Sequence, residues 1–454
     1  MTLAVDRPID PAQFATPEIR EWPLPPNQLR PDLVALQASH PQRYPGLFLS
    51  SGDTGWDVLF AFPQDIVRIA AADGLHGLQA HPAMQLRPTP RQDHGLPFSG
   101  GWLCALAYEL GGLFEPSAGQ TVDNDFPVAW LARIPAAILF DRTNGRCVLM
   151  AEAGQSALLD SMQRDLADLP PPLPAIPELR ALHEDEPTAF LAGVARIQDY
   201  IRAGDVFQVN LSRGWQAEFA APVAAASLFA QLMQRNPAPF SALLQMEDWA
   251  IVSSSPERLV RLGHEGMLET RPIAGTHPRS EDAVEDAALR ARLQAHPKER
   301  AEHVMLVDLE RNDLGRVCDP GSVKVDALMD IASYRHVHHI ESTVRGHLRA
   351  GVSVFEVLRA VFPGGTITGC PKVRTMQIIR ELEQTPRRSY TGSVGYINRD
   401  GSFDFNILIR SFLLQGRELS FRAGAGIVAD SIAQRELDET RAKARGLLRA
   451  LEPA

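Results

Sequence analysis

Glu299 with Glu302, and Glu436 with Glu439, form two carboxylate pairs, each with its members three residues apart. At that spacing both members of a pair share one helix face. If the two faces meet in the fold, four carboxylates surround one space, where they repel and raise each other's pKa. A hard divalent cation removes that penalty. Mg²⁺ favours carboxylate oxygens and keeps coordination positions for an anionic substrate. The competing reading is a pair of solvated helix faces, and Glu439 with Lys443 fits an ordinary i,i+4 ion pair.

Two glycine-rich stretches could receive such an anion. Residues 362–374 (FPGGTITGCPKVR) stand immediately before a predicted helix, where backbone amides can face a negative group. The stretch lacks the Gly-Lys-Ser/Thr ending of a Walker A loop, and a plain turn is its simpler reading. Residues 422–430 (RAGAGIVAD) read as a second loop after a strand, with Gly424, Ala425 and Gly426 small enough for main-chain amides to meet a carboxylate. Tyr390 and Arg410 lie between the two. Arg410 sits in the alternating run FNILIRSF, and an inward arginine there needs an anionic partner, either an internal acid or a substrate carboxylate.

The elements that must position these groups are legible in outline. Pro297 suits the first turn of a helix running to about residue 309, which carries Glu299 and Glu302. A last helix, about 433–451, aligns Leu437, Thr440, Ala444, Leu447, Leu448 and Leu451 on one stripe. Further helices are predicted over 158–169, 188–202, 354–361 and 371–382. Strands are predicted at 47–62 (two around a Gly/Asp turn), 128–139, 147–150, 206–217, 241–245, 249–253, 257–262, 389–398, 402–414 and 418–423. Strands fall in hairpin runs rather than alternating with helices, which predicts an α+β fold with antiparallel sheets. The stiff tract PPPLPAIP, residues 170–177, divides an N-terminal region (1–177) from a C-terminal region (178–454).

Composition narrows the function. Lysine and arginine number 45 against 55 acids, a net charge of −10, which favours neither nucleic acid nor an anionic membrane as partner. No apolar run approaches the roughly 18 residues of a membrane span. The start MTLAVDRPID lacks the basic and apolar regions of a signal peptide. Cys104, Cys147, Cys318 and Cys370 are far apart, as expected of reduced thiols in a cytoplasmic enzyme.

The motifs SSSPERLV (253–260), TRPIAGTHPR (270–279), AEHVMLVDLERNDLGRV (301–317), GGTITGCPKVRTM, GSVGY (392–396) and RAGAGIVADS together resemble the chorismate-utilising enzymes. That family includes anthranilate synthase component I, aminodeoxychorismate synthase component I, and the isochorismate and salicylate synthases. The resemblance spans about 186–451. It implies stacked antiparallel β-sheets flanked by helices around a Mg²⁺-dependent chorismate site. It further implies Glu302 and Glu439 as principal metal carboxylates with Glu299 and Glu436 beside them. Arg410, Tyr390 and the amides of Gly424–Gly426 would hold substrate carboxylates, with His339 and Thr366 close to the ring. Packing is the alternative for His339, since His336 and His338 crowd the same run. Glu257 matches the general acid for loss of the C4 hydroxyl, a poor leaving group unless protonated.

Within the family, water-adding members carry a lysine where this chain has Gln208, and glutamine cannot act as a base near neutral pH. The resemblance therefore implies amination. No cysteine occupies a Gly-x-Cys-x-Gly elbow, so ammonia is expected from a separate glutamine amidotransferase subunit. Aminodeoxychorismate synthases typically carry a nucleophilic lysine at the position of Ala274, where anthranilate synthases have alanine. The N-terminal stretches RYPGLFLSSG, WDVLFAFP and FSGGWLCALAYELGGLFEP (98–116) nevertheless resemble the aminodeoxychorismate branch, as does FPGGTITG, and residues 48–51 read FLSS rather than Leu-Leu-Glu-Ser. The expected product is 4-amino-4-deoxychorismate for folate synthesis; the alternative is anthranilate.

Overall fold

A computed structural model describes residues 16–25, 29–88, 95–119, 121, 123, 125–168, 170–280, 282–333 and 337–452. Its strands form two large antiparallel sheets. The first holds Glu18–Trp22, Arg146–Ala151, Ala136–Asp141, Trp56–Ala61, Gly46–Leu49, Phe240–Gln245, Ala250–Ser255, Ser411–Gln415, Glu418–Ile427, Gln208–Phe219 and Gly369–Cys370, in that order, with Leu179–Glu184 also on Gln208–Phe219. The second runs from Ile273–Pro278 through Val337–His347, Met267–Thr270 and Arg258–Leu262 to Phe403–Asn406, Ser393–Asn398, Gly101–Leu106 and beyond. Strands from both sides of residue 177 pair in both sheets, so the proline tract connects elements of shared layers.

Both sheets are covered on both faces, which explains the near-continuous apolar runs. In Trp56–Ala61, Val58 and Phe60 enter one buried cluster with Phe98, Trp130 and Leu413, while Leu59 and Ala61 enter another with Phe229 and Leu447. That alternation is the period of two that a strand imposes. Helices including Ala225–Arg235 and Ala433–Arg449 cover the outer face of the first sheet, and Val354–Val361 packs on the second. The architecture is α+β, as expected.

Two predicted strands proved to be crossings between layers. Residues 128–139 break at Pro135 into Ala129–Ile134 in the second sheet and Ala136–Asp141 in the first; proline cannot donate to a ladder. Residues 402–414 likewise divide into Phe403–Asn406 in the second sheet and Ser411–Gln415 in the first. The apolar alternation continued through this crossing because Ile407 and Leu408 are themselves buried between the layers. His336 and the first 15 residues lie outside the described residues.

Candidate active site

The crossing at Arg410 opens the site. Glu418–Ile427 pairs along its length with Gln208–Phe219, Gly424 opposite Ser212 and Gly426 opposite Asn210. On its other side Ser411–Gln415 reaches only as far as Phe421, because the chain turns away at Arg410, whose φ of 53° is left-handed. Ser212 donates its amide to Glu383 Oε1 (2.8 Å) and Asn210 to the Thr368 carbonyl (2.8 Å), so neither bonds across to its glycine. In such non-bonded antiparallel couples both sets of peptide groups turn outward. The N–H and C=O groups of Gly424 and Gly426 therefore point into the gap beyond the strand edge. The Gly424 carbonyl accepts there from Lys443 Nζ at 3.0 Å.

The expected loop 422–430 is thus strand as far as Ile427, and its glycines are small for a reason. A Cβ at Gly424 would stand 2.9 Å from the Tyr390 hydroxyl, and one at Gly426 would stand 3.0 Å from Glu302 Oε1 and crowd the Gln208 amide. Ala425 faces the other way, into the apolar cluster with Phe190 and Val194. It brings no side chain to the site.

Pro297 and the His296 cap start the helix Pro297–Gly315, which extends six residues past its expected end. Glu302 accepts from Gln208 Nε2 at 2.9 Å, and Glu299 lies against Gly275, where a Cβ would stand 2.9 Å from its carboxylate. The helix Ala433–Arg449 approaches the same strand edge from elsewhere. Glu436 is buried, and Glu439 meets Lys443 Nζ at 2.8 Å. Glu302 and, through Lys443, Glu439 therefore lie along one edge, while Glu299 stands beside Gly275 of the second sheet. Among the described residues, no three His, Cys, Asp or Glu side chains are grouped closely enough to hold a metal ion. As donors the carboxylates suit Mg²⁺, being hard oxygens, and glycine at 426 leaves clear the space beside Glu302.

Glu257 stands just before the strand Arg258–Leu262, buried, with Oε1 lacking a hydrogen-bond partner. Burial pushes its carboxyl up to about 7, against the weaker pull of the Thr366 hydroxyl and the Ile273 amide. Thr366 lies in the short turn Gly365–Ile367, its hydroxyl buried against the Glu257 carboxyl without completing a hydrogen bond. Arg410 is half-buried; burial lowers its pKa, and the Glu257 charge opposes that. His339 is buried, its Nδ1 3.2 Å from the Gly275 carbonyl. Burial, aided by the charges of Arg410 and Lys443, holds it neutral, down to about 3. His338, one residue along the strand, points oppositely to Asp286 (3.0 Å). Ala274 is buried opposite Ile340, next to Gly275. Tyr390 is buried beside Arg387, whose guanidinium is fixed by Glu383 at 2.6 Å. Breaking a buried pair of that kind costs about 3–5 kcal/mol, so this wall is rigid.

Lys443 was read from sequence only as a helix ion pair. Its charge bears on Glu257, His339, Tyr390 and Glu302 together, which makes it a member of the site. Glu310 also went unsingled, although it lies two turns beyond Glu302 on the same helix face. A separate cavity of about 460 Å³ opens between the sheets, lined by Phe48, Trp56, Phe240, Arg258 and Tyr396 among others, and includes none of the predicted site residues.

The profile of the chorismate binding enzymes matches residues 44–449. The chain is 40% identical over 361 residues to an anthranilate synthase component I-like protein of Synechocystis, covering 79% of this chain and 74% of that one. It is 38% identical over 392 residues to aminodeoxychorismate synthase component 1 of Klebsiella aerogenes, covering 86% and 85%. Anthranilate synthase component 1 of Bacillus subtilis is 37% identical over 386 residues, 79% of this chain and 74% of that one. Among solved structures, anthranilate synthase component I of Streptococcus pneumoniae superposes with a TM-score of 0.75 at 31% identity, covering 87% of this chain and 93% of that one. The menaquinone-specific isochorismate synthase of Escherichia coli shares the fold, with a TM-score of 0.73 at 22% identity over 97% and 96%.

Proposed function

The chain belongs to the chorismate binding enzyme family, and on that premise we propose that it is an aminodeoxychorismate synthase component I. In this reading it converts chorismate and ammonia to 4-amino-4-deoxychorismate for 4-aminobenzoate and folate synthesis. The observation that carries amination is Gln208, buried at the head of its strand and donating to Glu302. An amide cannot take a proton from water, so the nucleophile must arrive ready-made, as ammonia does. The Klebsiella relative, matched along most of both chains, supports C4 as the position attacked. The name "component 1" shared by relatives supports a separate glutamine amidotransferase as ammonia donor. We place the enzyme in the cytoplasm; no helix among the described residues is long and apolar enough to cross a membrane.

Each residue then has a task. The outward amides of Gly424 and Gly426, with Arg410, Tyr390 and Lys443, hold the substrate carboxylates. Glu257, protonated in a good fraction of molecules near neutral pH, gives its proton to the departing C4 hydroxyl. Neutral His339 and Thr366 border the ring without adding charge. Glu302 and Glu439, with Glu299 and Glu436 beside them, would hold Mg²⁺, which when bound would supply positive charge against a substrate carboxylate.

Anthranilate synthase is the second reading, favoured by the buried methyl of Ala274 where a nucleophilic lysine would stand. Incubation with chorismate, Mg²⁺ and ammonium salt separates the two by product mass. A 4-amino-4-deoxychorismate product is expected; fluorescent anthranilate with release of pyruvate would overturn the choice.

A further inference from the structure

Behind Glu257 the protein buries a second carboxyl that the chemistry above does not use. Glu310 is 6% exposed and faces the same interior as Glu257, at 4%. The turn carrying Thr366 can approach Glu310 because residue 365 is glycine. A Cβ there would collide with Leu309 and stand 3.7 Å from Glu310 Oε1. The Thr270 hydroxyl lies against the Glu310 carboxyl from the second sheet. In this interior Glu257 Oε1 is buried without a hydrogen bond, and the Thr366 and Thr270 hydroxyls lie against the Glu257 and Glu310 carboxyls without completing one. Orphaned polar atoms of that kind mark places completed by water or by a moving proton. On the far side of Glu310, Asp313 is buried and bonded to Lys372 Nζ at 2.6 Å, and Lys372 also donates to the Val361 carbonyl at 3.1 Å.

We propose that Glu310 is a positioning residue for proton supply, the reservoir that keeps Glu257 charged with its proton from one turnover to the next. This rests on Glu257 being the general acid. Glu257 gives its proton to the ring hydroxyl oxygen, the C4–O bond breaks, and water leaves. Glu310 then passes its proton through the Thr270 hydroxyl beside it and the Thr366 hydroxyl beside Glu257 to the Glu257 carboxylate. The added nitrogen releases a proton to solvent, and Glu310 recovers one by way of Asp313 and Lys372. The balance closes without any further reactant. Burial supports the role, pushing Glu310 up to about 8 with the charges of Asp313 and Glu257 in the same direction and that of Lys372 opposing. Around Glu257 the other charges are Glu341, Lys443 and Arg410.

Glu310→Gln keeps the shape and cannot release a proton. Its kcat in the ammonia-dependent reaction should fall about tenfold to a hundredfold, with KM for chorismate unchanged. The alkaline limb of kcat should move to lower pH, because Glu257, at about 7, must then recover its proton without a neighbour that holds one up to about 8, and a solvent isotope effect should appear. Glu310→Asp should restore part of kcat, and covers the case in which the glutamine variant folds poorly. Wild-type kcat and pH profile in Glu310→Gln would overturn the proposal, as would a loss confined to KM. Glu257→Gln runs alongside: if it stays fully active the general-acid reading fails, whereas an inactive Glu257→Gln beside a normal Glu310→Gln sinks the reservoir alone.

Discussion

The two glutamate helices use one spacing and reach opposite electrical surroundings. Four places after Glu439 stands Lys443, at 2.8 Å. Four places after Glu299 stands His303, buried, 2.6 Å from Ser342 Oγ and held neutral by burial, down to about 4; four after Glu302 stands the buried Leu306. The i,i+4 partner is what a helix itself sets against a carboxylate, so the helix Ala433–Arg449 comes with its cation and Pro297–Gly315 with apolar and neutral groups. An exposed pair such as Glu439–Lys443 adds only about 0.3–0.5 kcal/mol to a helix. Its worth lies in aiming Lys443 at the Gly424 carbonyl. One helix thus presents Glu299 and Glu302 with no cation of its own four places on, and the other presents Glu439 together with Lys443.

The largest effect should come from removing a carboxylate on the barer side. Glu302→Ala deletes the proposed metal donor and the acceptor of the buried Gln208 amide at once, so Mg²⁺-dependent turnover should vanish while the fold persists with a melting temperature lowered by a few degrees. Glu439→Ala leaves Lys443 on the Gly424 carbonyl and should retain measurable activity at raised Mg²⁺. A Glu439 variant that is the more damaged of the two, in parallel Mg²⁺ titrations, would break the comparison.

Lys443→Met tests the other side. Loss of a charged hydrogen-bond donor, about 1.5–3 kcal/mol, should raise KM for chorismate about tenfold or more with a smaller change in kcat. An unaltered KM would return Lys443 to the role of a helix ion pair.

The pH dependence gives a subtler contrast. With Glu257 pushed up to about 7, the rate should fall as pH rises through that value. Its folded pKa exceeds the ordinary 4.5, so the stability it contributes is full below about 4.5 and is lost as pH rises to about 7. His339, down from 6.5 to about 3, acts in the reverse sense: the stability tied to its neutral form is lost as pH falls through that window. Melting curves of Glu257→Gln should lose part of the first slope, Glu310 and Glu109 supplying the rest, and keep the second. A variant whose first slope is undiminished would show that Glu257 is not among the buried acids responsible.

The helices were legible because the carboxylate spacing, Pro297 and the terminal leucine stripe are local signals that tertiary structure did not override. Arg410 was not, since alternation of apolar residues reads the same in a strand and in a buried crossing between two sheets. Gly424 and Gly426 read as a loop because glycine is a poor strand former; only the pairing with Gln208–Phe219 makes them strand, and only the missing neighbour makes their amides available. Lys443 was visible as a charge but its reach was not, because that depends on where Gly424 lies. The cavity between the sheets draws on residues from both ends of the chain, so no stretch of sequence displays it.

The smallest expected effect would even out the two sides. Ala274 adjoins Gly275, and Gly275 adjoins Glu299, so Ala274→Lys sets a cation against the side that has the barer carboxylates. Ala274 is 7% exposed, so a lysine must find room for its stem among buried neighbours. In an aminodeoxychorismate synthase the variant should stay active, bind Mg²⁺ somewhat more weakly, and form a ring adduct visible by intact mass after incubation with chorismate. A folded variant without turnover or adduct would mean that this wall is shaped for direct attack by ammonia, and would favour the anthranilate route.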